Sequence, residues 1–121
     1  DARTGSEPAT DRGLRAAVAE ARDDLAEGLR AGDGACELAA AYSDALSEIV
    51  RASAETALGA ARSQLGPLAI VAVGGLGRRM HFPHADLDFV ILLDRAGEPD
   101  DEALAALIRS VTRPLWDAGL Q

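Results

Sequence analysis

The sequence predicts an α/β domain, of the α+β kind, in which helices flank a small mixed sheet. Three observations predict it. Two short runs rich in Leu, Ile and Val, at 68–73 and 86–93, have the length and composition of buried strands. Two longer stretches ahead of them, 11–30 and 35–64, step their apolar residues by three or four, as one helix face requires. A third stepped stretch follows from Asp100.

Residues 1–10 mix Gly, Ser, Pro and Thr with little apolar content and read as a flexible leader. From Asp11 to Arg30 the predicted buried stripe is Leu14, Val18, Ala21, Leu25 and Leu29. Arg15, Glu20, Arg22, Asp23 and Glu27 take the wet side. Gly13 and Gly28 each weaken such a helix by up to ~1 kcal/mol relative to alanine. Gly32-Asp33-Gly34 ends it. The second helix, Ala35 to Gln64, carries Leu38, Tyr42, Ala45, Leu46, Ile49, Val50 and Leu58 on one stripe, and Gly66-Pro67 closes it. The short connection sets the two helices antiparallel. Residues 11–66 thus form a helical N-terminal segment, and 67–121 the part that carries the chemistry.

Leu68 to Val73 reads as a strand buried on both faces. A Gly- and Arg-rich turn and a bend at Pro83 lead to the second strand, Asp86 to Leu93. Asp100 caps the third helix, with Asp101 and Glu102 in its first turn. Its buried stripe is Leu104, Leu107, Ile108 and Val111. Pro114 kinks or breaks it, and Leu115 to Gly119 make a last turn with a glycine stop.

The chemistry gathers between 69 and 94. Asp86 and Asp88, spaced i, i+2, share one face of the predicted strand. Two such carboxylates repel unless a cation lies between them. Mg²⁺ suits them, being a hard ion held by one or two carboxylates and substrate phosphates. Gly74, Gly75 and Gly77 follow the first strand, and their backbone N–H groups suit an anion. Arg78 and Arg79 add forked donors for phosphate oxygens. The glycines and the aspartates meet if the two strands run antiparallel.

Competing motifs fit less well. Met80 stands where a dinucleotide fingerprint needs its third glycine, and no lysine completes a P-loop. His81 and His84 with the aspartates suggest a transition-metal site, but they are better read as lining the pocket or holding the loop. Net charge is −8, which argues against a general nucleic-acid binder. The single cysteine, Cys36, forms no intrachain disulfide; it reads as a small buried hydrophobe in a reducing, cytoplasmic setting. No apolar run approaches the ~20 residues of a membrane span, so no membrane contact is expected. No signal-peptide pattern opens the chain. It lacks an initiator methionine and stops at Gln121, and so reads as a piece of a longer protein.

Gly74-Gly75-Leu76-Gly77-Arg78, Pro83 and Asp86-Leu87-Asp88 resemble the signature of the DNA polymerase β-like nucleotidyltransferase superfamily. Within it the chain is most similar to the N-terminal nucleotidyltransferase domain of PII-protein uridylyltransferases. The likeness covers roughly residues 35–121 and includes Leu115 to Leu120. The resemblance implies that 67–121 is a partial nucleotidyltransferase core. It implies two Mg²⁺ ions on Asp86 and Asp88, with Gly74, Gly75 and Arg78 at the phosphates. UTP would be the substrate, and the acceptor a tyrosine of a PII-type nitrogen-regulatory protein. A third carboxylate on a strand beyond Gln121 would complete the metal site, so the isolated fragment is expected to be weak or inactive. Glutamine-synthetase adenylyltransferases resemble the same stretch, and a non-catalytic regulatory module keeping the fold is the other alternative. The family usually has Gly, Glu and Ser where this chain has Arg79, Met80 and Ala85.

Overall fold

The computed structural model describes residues 11–95 and 97–121; the leader expected at 1–10 lies outside them. The elements run α1 (Asp11–Ala31), α2 (Ala35–Leu65), β1 (Leu68–Ala72), α3 (Gly74–Gly77), β2 (Phe89–Leu93) and α4 (Asp101–Asp117). The α+β expectation holds. The two strands form one antiparallel pair, with Leu68 opposite Leu93 and Ala72 opposite Phe89.

α1 and α2 form an antiparallel hairpin around Gly32, whose φ of +83° only glycine takes easily. Gly28 does more than weaken α1. A Cβ there would fall 2.3 Å from Leu38 Cδ2, so its absence lets α2 close in. Leu14, Val18, Tyr42, Leu46, Ile49 and Val50 share one core with Leu65, Leu68, Leu107, Val111 and Leu115. α4 lies across this hairpin, and two arginines of α1 bind its C-terminal end. Arg15 donates to the Asp117 carbonyl at 2.6 Å and Arg22 to the Gly119 carbonyl at 3.0 Å. These carbonyls have no partner within the helix, which is why cations collect there. Asp100 caps α4 as expected, accepting from the Glu102 amide at 3.0 Å.

Several expectations need correction. Leu29, on the predicted stripe of α1, is 58% exposed, because the hairpin end projects past the body that α4 covers. Cys36 is exposed for the same reason, in the first turn of α2. Ile108 is exposed; one step round α4, Leu107 and Val111 take the inner side. Pro114 does not end α4, which continues to Asp117. Arg22, assigned to the wet side, is half-buried. β1 is not buried on both faces. The helices cover only one side of the sheet and leave Val71, Val73, Val90 and Leu92 exposed on the other. Among the described residues, no helix is long and apolar enough to cross a membrane.

Candidate active site

The site forms where β1 ends and β2 begins, and antiparallel pairing makes those two points coincide. The ladder runs one step past Ala72–Phe89: the Val73 N–H donates to the Asp88 carbonyl at 3.0 Å. β2 itself starts at Phe89, so Asp86 and Asp88 stand in the extended approach to the strand, not inside it as the sequence suggested. The alternation still runs back through them. Asp86, Asp88, Val90 and Leu92 are exposed, while Leu87, Phe89, Ile91 and Leu93 are half-buried. Both carboxylates therefore belong to the open side.

The glycines lie within the single turn α3 itself. Gly74 has a φ of +60°, and a Cβ on it would lie 2.7 Å from Asp88 Oδ2. The Asp88 carboxylate thus abuts the turn, with no side chain intervening. The amides of Arg78, Met80 and Arg79 return to the carbonyls of Gly74, Gly75 and Leu76 at 3.2, 2.8 and 3.1 Å. The amides of Gly74 and Gly75 make no hydrogen bond among the described residues, so both donors are unpaired there.

The two arginines part company. Arg78 is exposed and makes no ion pair among the described residues. Arg79, expected to serve phosphate, is committed to Asp44 of α2: Nε donates to Oδ1 at 2.9 Å and Nη2 to Oδ2 at 2.7 Å. These hydrogen bonds hold the Asp44 carboxyl below its ordinary pKa. Arg79 also has a φ of +58°, the one positive value at a non-glycine among the described residues. That geometry accounts for the glycine usual at this position.

His81 is buried and holds the loop from within. Its backbone N–H donates to Ser43 Oγ at 2.9 Å, and its ring stacks on Tyr42 with centroids 6.2 Å apart. His84 is exposed. The described residues contain no group of three or more His, Cys, Asp or Glu side chains able to hold a metal. Burial lowers the His81 pKa, and the Asp88 charge partly opposes this. The unfolded chain therefore takes up the proton first. Stability is fully present above the unfolded value near 6.5 and is lost as pH falls through the folded value. Urea titrations between pH 7.5 and 5.5 should show this loss, its slope capped at about 1.4 kcal/mol per pH unit for one proton, and His81→Gln should flatten it.

Ser43, Asp44 and Arg22 escaped the sequence reading. Arg22 Nη2 reaches the Pro83 carbonyl at 3.5 Å as well as Gly119, tying the bend before the aspartates to α1 and α4. The one visible hint was a serine on the apolar stripe of α2.

The donor set fits Mg²⁺. Two exposed carboxylates offer hard oxygens, and Gly74 and Gly75, which carry no side chain beside Asp88, would leave room for phosphates to complete the coordination.

A family model described as "Putative nucleotidyltransferase DUF294" matches residues 19–121, which takes in most of α1. A bifunctional uridylyltransferase/uridylyl-removing enzyme of Aromatoleum aromaticum is 37% identical over 93% of this chain and 13% of the relative. Its counterpart in Streptomyces coelicolor is 38% identical over 63% of this chain and 9% of the relative. That of Bordetella avium is 47% identical over 43% and 6%. The chain thus spans a small fraction of the curated relatives it matches. No solved structure matches it.

Proposed function

The chain belongs to the DUF294 nucleotidyltransferase family, and from that premise we propose that it transfers UMP from UTP to a tyrosine of a PII-type regulatory protein. The observation that supports nucleotidyl transfer is the close approach of Asp88 to the Gly74 turn, which would set a cation site beside an anion site.

Asp86 and Asp88 would hold Mg²⁺. When bound, the metal supplies Lewis-acid polarisation of phosphate oxygens and offsets the triphosphate charge. The Gly74 and Gly75 amides would donate to phosphate oxygens, and Arg78 would neutralise them from the exposed side. Held this way, the α-phosphorus is open to the acceptor tyrosine. Its hydroxyl oxygen forms the new P–O bond, the bond to the bridging oxygen of the β-phosphate breaks, and pyrophosphate leaves. The tyrosine proton passes to solvent. The Gln121 carbonyl accepts from the Leu87 amide between the two aspartates. This chain by itself is expected to bind nucleotide without efficient turnover, because two carboxylates cage the metal incompletely.

Calorimetry with MgUTP, followed by competition with MgATP, tests the base. UTP binding that ATP fails to displace supports uridylyl transfer. Preferential ATP binding assigns the chain to the adenylyl-transferring relatives, and binding of neither contradicts the nucleotidyl reading.

A further inference from the structure

We infer that Ser43 and Asp44, consecutive residues of α2, are positioning residues that latch the glycine turn in register with the carboxylate pair. This rests on the nucleotidyl reading of the site. The two residues grip the return limb of the turn at two points. Ser43 Oγ accepts from the His81 N–H at 2.9 Å and donates to the Ala39 carbonyl at 2.7 Å, so this buried hydroxyl is committed in both directions. Asp44 receives both donors of Arg79 in a fork. Successive helix residues point about 100° apart. One residue therefore takes the inner grip and its neighbour the outer one.

The grip reaches the phosphate site through the main chain. The amides of Arg78, Met80 and Arg79 bond to the carbonyls of Gly74, Gly75 and Leu76. Fixing residues 79 and 81 thereby fixes the peptide planes of the turn beside Asp88. The fork also explains why Arg79 tolerates a φ of +58°, a conformation that a Cβ disfavours. On the rival assignment, Arg79 itself meets phosphate and Asp44 merely competes for it.

The sign of one substitution separates the two. Removing Asp44 loosens the turn if it is a latch. If it is a competitor, removal frees Arg79, takes away a nearby negative charge and tightens nucleotide binding. Two measurements on the whole chain are needed: amide hydrogen exchange over residues 78–81 without nucleotide, and MgUTP calorimetry. For Asp44→Ala we expect an unchanged melting temperature, since the pair is exposed. We expect exchange at Arg79 and Met80 to accelerate at least about fivefold and the MgUTP Kd to rise about five- to tenfold. The swap Asp44→Arg with Arg79→Asp keeps net charge and should restore both to within about twofold. Ser43→Ala should speed exchange at His81, and Ser43→Thr, which keeps the hydroxyl, should rescue it. Tighter MgUTP binding in Asp44→Ala overturns the latch, and so does unchanged exchange and affinity. If the wild-type chain binds no nucleotide, the nucleotidyl reading fails, while the exchange data alone still decide for or against the latch.

Discussion

Asp86→Asn combined with Asp88→Asn is expected to abolish Mg²⁺-dependent UTP binding by this chain. On the proposed reading, any nucleotidyl transfer should fall on the order of a thousandfold. Metal-assisted charge stabilisation contributes several kcal/mol, and each 1.36 kcal/mol is about tenfold in rate. The fold should not suffer. Both side chains are exposed, and neither makes a side-chain hydrogen bond or an ion pair among the described residues. The change also removes two negative charges from a chain at −8, which eases self-repulsion. A melting temperature equal to or above wild type, with binding gone, is therefore the expected pair of results. Transfer by the double variant within tenfold of wild type would remove Asp86 and Asp88 from the chemistry.

Gly74→Ala is the second large effect. It acts on backbone and site together. The φ of +60° costs an alanine about 1–2 kcal/mol, because its Cβ crowds the following carbonyl. The same Cβ would stand 2.7 Å from Asp88 Oδ2 and 3.3 Å from Asp88 Cβ, so the aspartate must turn away. Urea unfolding should report a loss of about 2 kcal/mol, strain and displacement combined. MgUTP affinity should fall further than that of a variant destabilised equally elsewhere, such as Val18→Ala in the core. Equal losses in the two variants would show that the turn matters for folding alone.

The same turn shows what the sequence could reveal and what it could not. Helix faces were legible where a stripe met a neighbour along its whole length, as at Leu14, Val18, Leu46 and Val111. The rule failed at Leu29, because periodicity marks a face but not how far the covering element extends, and at Ile108, where Leu107 one step round takes the inner side. The antiparallel pairing was inferred from the need to bring Gly74 and Asp88 together, and the register agrees. The grip of α2 on the loop was not legible. Asp44 and Arg79 lie 35 residues apart, and Ser43 and His81 lie 38 apart, so no local pattern couples them. Arg79 was read as a phosphate donor because its charge and forked donors suit phosphate oxygens. The left-handed backbone at that position aims it at Asp44 instead.

The open side of the sheet also went unread. Strands rich in Val and Leu ordinarily have both faces covered. Here Leu92, 54% exposed, and Val90 continue the row that begins with Asp86 and Asp88. Apolar content alone did not distinguish this half-covered sheet from a fully enclosed one.

Titrating UTP into the wild-type chain by calorimetry, first with Mg²⁺ and then with the metal chelated, puts the site to its most direct trial. A cation site joined to a phosphate turn predicts saturable binding with Mg²⁺ that disappears on chelation. Binding of equal strength without the metal would contradict it.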